Sequence, residues 1–207
     1  MRKIIETNWS NKLAYVIGLF TSDGCLCSDG RHLNFTSKDK EQVQNFINCL
    51  KLQNTISKKA RGGEMAKKYY QVQFGNVRFY KYLTSLGLTP RKSKTLGELD
   101  MPYKFFADFL RGLFDGDGTF GVFKHPESRH PQIRVKFASA SPAFLRWLKL
   151  EINRRLRTKG YVTKGNRVEY LEYAKQDTFK ILKFMYHSPC TVFLGRKFEK
   201  VKPFLRT

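Results

Sequence analysis

Two segments of this chain repeat one another, and a chain that carries the same packing segment twice is constrained to fold as two like halves. Leu13-Ala14-Tyr15-Val16-Ile17-Gly18-Leu19-Phe20-Thr21-Ser22-Asp23-Gly24 aligns with Ala107-Asp108-Phe109-Leu110-Arg111-Gly112-Leu113-Phe114-Asp115-Gly116-Asp117-Gly118. The offset is 94 positions (117 minus 23), which sets Gly18 on Gly112, Phe20 on Phe114 and Gly24 on Gly118. Each segment reads as an apolar helix. Ala14 and Gly18 lie four apart on one face, where small side chains let a partner helix approach closely, and Gly112 supplies the same position in the second copy. The pair predicts a helix–helix seam between the halves.

Similar elements follow each segment in the same order. Residues 31–36 and 132–137 alternate polar and apolar side chains, as half-buried strands do. Residues 40–50 and 141–152 read as helices, the second opened by Ser141 as cap and Pro142 as first residue. A second strand pair comes next: 56–60 and 69–74 in one half, 160–163 and 167–173 in the other, each around a turn-prone glycine segment. Helices over 77–86 and 176–186 and the basic pairs Arg91-Lys92 and Arg196-Lys197 complete the units. The expected fold is α+β, an αββαββα unit occurring twice, over residues 1–95 and 103–207. The stretch around 89–102, with Pro90, Gly97 and Pro102, reads as the linker.

The 207 residues include 39 Lys+Arg against 17 Asp+Glu, a formal charge of +22. So large an excess of one sign repels itself and binds polyanions through counterion release, which makes nucleic acid the leading partner. A hydrophobic share of 41%, with 18 Phe and 10 Tyr, is enough for a core and excludes general disorder. The longest apolar run, residues 13–20, is far short of the roughly 18 residues that span a bilayer, and no basic amphipathic helix points to a membrane surface. Cys25, Cys27, Cys49 and Cys190 lack paired C-x-x-C spacing, which argues against zinc and for reduced thiols in an intracellular compartment.

Both helices end in Asp-Gly, where Gly24 and Gly118 suit the left-handed residue that stops a helix. Asp23 and Asp117 then sit at the negative end of the helix dipole, and packing of the two helices brings the carboxylates together. A hard divalent cation with oxygen ligands relieves both penalties, and Mg²⁺ with waters and phosphate oxygens suits two lone carboxylates. The strands supply a complementary surface. Gln132, Arg134 and Lys136 face away from Ile133, Val135 and Phe137; His32, Asn34 and Thr36 oppose Leu33 and Phe35; Gln71 and Gln73 alternate with Tyr70, Val72 and Phe74. Such a face can read bases and phosphates in a groove, with Arg61, Lys67 and Lys68 on backbone phosphates.

The two repeated segments resemble the LAGLIDADG motif of homing endonucleases, residues 105–120 most closely, and the paired motif is similar to the monomeric, double-motif members. The resemblance implies two pseudo-symmetric halves, each laying a curved antiparallel sheet, backed by helices, along the major groove. It implies that Asp23 and Asp117 bind the catalytic metals, that Ser22 and Gly116 add backbone carbonyls, and that Lys92 and Lys197 act beside the active site on the scissile phosphate or its water network. Mg²⁺ is the expected cofactor, with Mn²⁺ substituting and Ca²⁺ binding without turnover. The expected reaction cuts one phosphodiester in each strand of a long double-stranded DNA site, with a short stagger across the minor groove. Thr36 holds the polar strand position near one metal site, whereas Ala138, its counterpart, cannot position a water. Asp115 reads as a helix-end polar residue. The alternatives are an intron-RNA maturase or a DNA-binding regulator using the fold without cleavage, or an unrelated basic module whose Asp-Gly pairs merely end helices. Neither a nucleophilic Cys or Ser at the start nor His-Asn at the end marks an intein, so the chain reads as free-standing or intron-encoded.

Overall fold

The computed structural model describes residues 4–60, 66, 68–124, 131–189 and 191–205. In chain order the first half runs α1 (Asn11–Asp23), β1 (Gly24–Leu26), β2 (His32–Ser37), α2 (Lys40–Leu50), β3 (Ser57–Lys59), β4 (Tyr69–Gly75) and α3 (Val77–Ser85). The second runs α4 (Phe106–Asp117), β5 (Gly118–Phe123), β6 (Gln132–Ser139), α5 (Pro142–Leu156), β7 (Tyr161–Lys164), β8 (Glu169–Ala174) and α6 (Gln176–Met185). A further helix, α7 (Gly195–Val201), has no equivalent in the first half and was not expected from the sequence. Its seven residues carry too little periodicity of their own, and tertiary contacts fix it.

Each half builds one antiparallel four-stranded sheet, in the order β1-β2-β4-β3 and β5-β6-β8-β7. The registers match: Gly24 pairs with Phe35 and Phe35 with Val72, as Gly118 pairs with Phe137 and Phe137 with Leu171. The expected alternation holds, since Leu33, Phe35, Val72, Ile133, Val135 and Phe137 are buried. Ser10 and Ser141 cap α1 and α5 by accepting hydrogen bonds from the backbone N–H groups of Leu13 and Phe144.

The halves meet along α1 and α4. A Cβ added to Gly18 would lie 2.1 Å from the Phe109 carbonyl oxygen, and one added to Gly112 would lie 2.0 Å from that of Tyr15. Backbone therefore touches backbone at the crossing, which only glycine permits. Both helices are buried through most of their length, from Leu13 to Thr21 and from Phe106 to Asp115.

Gly24 and Gly118 are a correction to the left-handed cap. Both are extended, with φ, ψ of −84°, 150° and −80°, 152°, so no left-handed residue ends either helix. Glycine is needed there for space: a Cβ would fall 2.3 Å from the ring of Phe20 in one copy and 2.4 Å from that of Phe114 in the other. The chain passes directly from helix into strand, which fixes each Asp against the first residue of a sheet. Beside Lys197 the second half also straps onto the first. Arg196 pairs through two hydrogen bonds with Asp39, the Gly195 N–H donates to Glu41, and Asn45 donates to the Phe193 carbonyl.

Candidate active site

The two helix ends carry Asp23, half-buried, and Asp117, exposed. Both carboxylates act electrostatically on both Lys92 and Lys197, so the seam delivers the four groups to one place. Ser22 faces Gly116 across the seam: a Cβ on Gly116 would lie 1.9 Å from the Ser22 hydroxyl and 3.3 Å from Asp23 Oδ2. An open pocket beside Asp23 is lined by Ser22, Cys25, Asn34, Thr36, Lys59 and Lys92.

The two lysines are buried rather than spread on the surface. Lys92 Nζ donates to the Gly24 carbonyl at 2.6 Å and lies over the Phe20 ring. Lys197 Nζ donates to the carbonyls of Phe114 (2.6 Å), Gly118 (2.6 Å) and Gly116 (3.1 Å) and lies over the Phe114 ring. Lys197 thus bonds carbonyls of the last turn of α4 and of its cap, and Lys92 the cap carbonyl of α1, each at the negative end of a motif helix. Burial pulls both ammonium groups toward deprotonation, Lys197 down to about 8, against the opposing pull of nearby carboxylates. The Gly116 carbonyl, an expected metal ligand, is already a Lys197 acceptor.

Asp115, a polar residue in the last turn of α4, is 1% exposed inside the seam, accepting from the Tyr15 hydroxyl at 2.7 Å and the Leu194 N–H at 2.8 Å. Its Oδ1 has no hydrogen-bond partner, and burial raises the carboxyl to about 6. Arg111, also buried, was not singled out from the sequence. Its guanidinium donates to the carbonyls of Met185 and Val192 and to Asp108, tying α4 to the segment before α7. A charged residue in the middle of an apolar repeat, where the first copy has Ile17, was the available signal for it.

On the polar face of the first sheet, Asn34 donates to Gln71 at 3.3 Å and Thr36 donates to Asn34 at 3.0 Å, while Gln73 is exposed. His32 is paired with Asp29 in the turn before β2. On the second sheet Gln132 stands at the start of β6, and Arg134 and Lys136 reach Glu172, a buried carboxylate that sequence reading missed. Lys68 is exposed at the start of β4's approach; Arg61 and Lys67 lie outside the described residues. Thr36 and Ala138 occupy equivalent register positions, so the two halves do differ at this strand position.

The donors at the helix ends are hard oxygens flanked by fixed positive charge and open to solvent on one side, which suits a divalent ion that keeps waters or phosphate oxygens in its shell. Among the described residues, no three His, Cys, Asp or Glu side chains gather into a closed metal cage.

Residues 105–184 match the model of the LAGLIDADG-like domain. No curated protein matches the chain in sequence. Among solved structures, the N-terminal LAGLIDADG domain of DUF199/WhiA superposes with a TM-score of 0.58 at 15% identity, over 96% of this chain and 90% of that one. The homing endonuclease I-WcaI bound to its DNA recognition sequence gives 0.64 at 11% identity, over 93% and 88%. I-SmaMI, bound to uncleaved DNA target in the presence of calcium ions, gives 0.63 at 10% identity, over 96% and 90%. Residues 105–184 are thus similar to the LAGLIDADG-like domain, and over nearly its whole length the chain has the two-repeat fold seen in LAGLIDADG homing endonucleases.

Proposed function

We propose that the chain is a site-specific double-strand DNA endonuclease, a monomer whose halves, residues 1–95 and 103–207, each read one half of a long target in the major groove. The observation that carries this reading is the glycine-on-glycine seam, which sets Asp23 and Asp117 at one end of paired helices within the field of both Lys92 and Lys197.

Asp23 and Asp117, with the Ser22 carbonyl, would hold Mg²⁺. When bound, the ion polarises the phosphate, lowers the pKa of the attacking water and stabilises the leaving oxygen. Lys92 and Lys197 set positive charge where negative charge develops on the phosphate. Their bonds to the helix-end carbonyls fix the backbone that carries each Asp, so the acidic groups meet DNA already in place. The basic, polar sheet faces hold the duplex on either side of the seam.

The likeness to the WhiA domain, described as a LAGLIDADG domain and not as a nuclease, favours a second reading: sequence-specific binding without cleavage. Incubating a randomised duplex library with the protein in Mg²⁺ and in Ca²⁺ separates the two. The endonuclease reading expects one recurrent site, cut only with Mg²⁺, and cut in at most one strand by Asp23→Asn or Asp117→Asn. Tight, salt-sensitive binding with no cut under either metal would sink it and leave the binding reading, with intron RNA as the next ligand.

A further inference from the structure

The two sheets present different chemistry at equivalent places. Asn34 pairs with Gln73 in the first, and Lys136 pairs with Glu172 in the second, at the same distance in register from the glycine that starts each sheet. The first face carries amides and hydroxyls at Asn34, Thr36, Gln71 and Gln73, with His32 paired to Asp29 at one end and Lys59 at the edge strand. The second carries two cations around one carboxylate.

Glu172 lies on the polar face and is nonetheless 3% exposed. Other side chains cover it. Thr163 donates to it at 2.6 Å and Tyr161 at 3.4 Å, Lys136 Nζ sits 2.9 Å away and Arg134 3.8 Å away. The two cations are held from a second side as well, Arg134 over the Phe123 ring and Lys136 over the Tyr170 ring. Burial alone would raise the Glu172 carboxyl, but the bonds from Thr163 and Lys136 outweigh it and hold the group ionised. A carboxylate on a surface meant for phosphates lowers affinity for any nucleic acid. What it offers in return is orientation. Long basic side chains on a strand sample many rotamers, and fixing them before binding spares that ordering cost while restricting which bases they reach.

We infer that Glu172 is a specificity-positioning residue, which holds Lys136 and Arg134 as readers of guanine O6 and N7 in the second half-site. Gln73, at the equivalent place, leaves the first half with amide readers that favour adenine. The inference rests on the reading of the chain as a sequence-specific DNA-binding nuclease, and it predicts a target whose two halves differ in base composition.

The test is selection of randomised duplexes by binding in Ca²⁺, with the wild type, Glu172→Gln and Lys136→Gln, and base frequencies read half by half. Glu172→Gln keeps the shape and the Thr163 bond while removing the charge that holds the cations. Guanine preference in one half-site should fall by roughly tenfold. Affinity for unrelated duplex should rise, with a salt slope steeper by about one. The adenine preference in the other half should stand. Lys136→Gln, a change on a partly exposed side chain, should erase guanine preference at one of the same positions, and it carries the test if Glu172→Gln proves unstable. A merely structural role for Glu172 would lower the melting temperature and weaken both halves alike. Retained guanine preference in both variants overturns this inference alone; a wild-type pool with no preferred sequence in either half overturns it together with the functional reading beneath it.

Discussion

The ends of α1 and α4 bear the same carboxylate on unequal supports. At the α4 end, Lys197 comes from a helix and its three bonds close three carbonyls. At the α1 end, Lys92 comes from a turn segment and closes one. The position before the Ser22/Gly116 pair differs as well. Asp115 spans from Tyr15 of the other half to Leu194, whereas Thr21 folds its hydroxyl back onto the Ile17 carbonyl of its own helix. Pseudo-symmetry is thus kept where backbone meets backbone and lapses where side chains carry the load.

The largest effect should be symmetric. Val at Gly112 or at Gly18 would drive carbons into the facing carbonyl, and each change should cost upwards of about 4 kcal/mol, seen as loss of a cooperative thermal transition. If one position tolerates Val, the crossing is not the shared axis.

The next effect belongs to the second half alone. Burial raises the Asp115 carboxyl to about 6, so between its ordinary value and that pH the folded chain binds more protons than the unfolded one. This group therefore draws stability down as pH rises through that window, and the cost stays in full above pH 6. Asp115→Asn cannot ionise. The stability gap between wild type and variant should move against the wild type by about 2–3 kcal/mol from roughly pH 4 to pH 7, measured by denaturant titration at each pH. A flat gap would place Asp115 in a wetter site than its burial implies.

The smallest effect sharpens the contrast between the lysines. Lys197→Met removes three hydrogen bonds to carbonyls and Lys92→Met one, so the first should cost about 1–2 kcal/mol more in urea unfolding, even though the Phe114 carbonyl keeps the Gly118 N–H. Equal costs would show that water replaces both ammonium groups equally well.

The repeat, the order of strands and helices, and the buried face of each sheet were legible because they follow from periodicity and from two glycines in register. The reason for Gly24 and Gly118 was not, because a helix-ending glycine reads the same whether it provides a left-handed turn or room for the Phe20 or Phe114 ring. The burial of Asp115 and the place of Glu172 were not legible for a related cause. Each reads from its own segment as an ordinary polar residue, and only the partner that lies across the seam or across the strand pair shows that it is buried. Helix α7 escaped because its identity is set by Glu41, Asp39 and the end of α4, all distant in sequence.

A crossing made of main chain against main chain has a lasting consequence for how such a molecule changes over time. It asks of each half only a glycine and a straight helix, and it keeps no record of the side chains displayed on the sheets. The two faces are therefore at liberty to diverge separately, one toward amides and the other toward paired charges, while the paired helix ends between them keep their form.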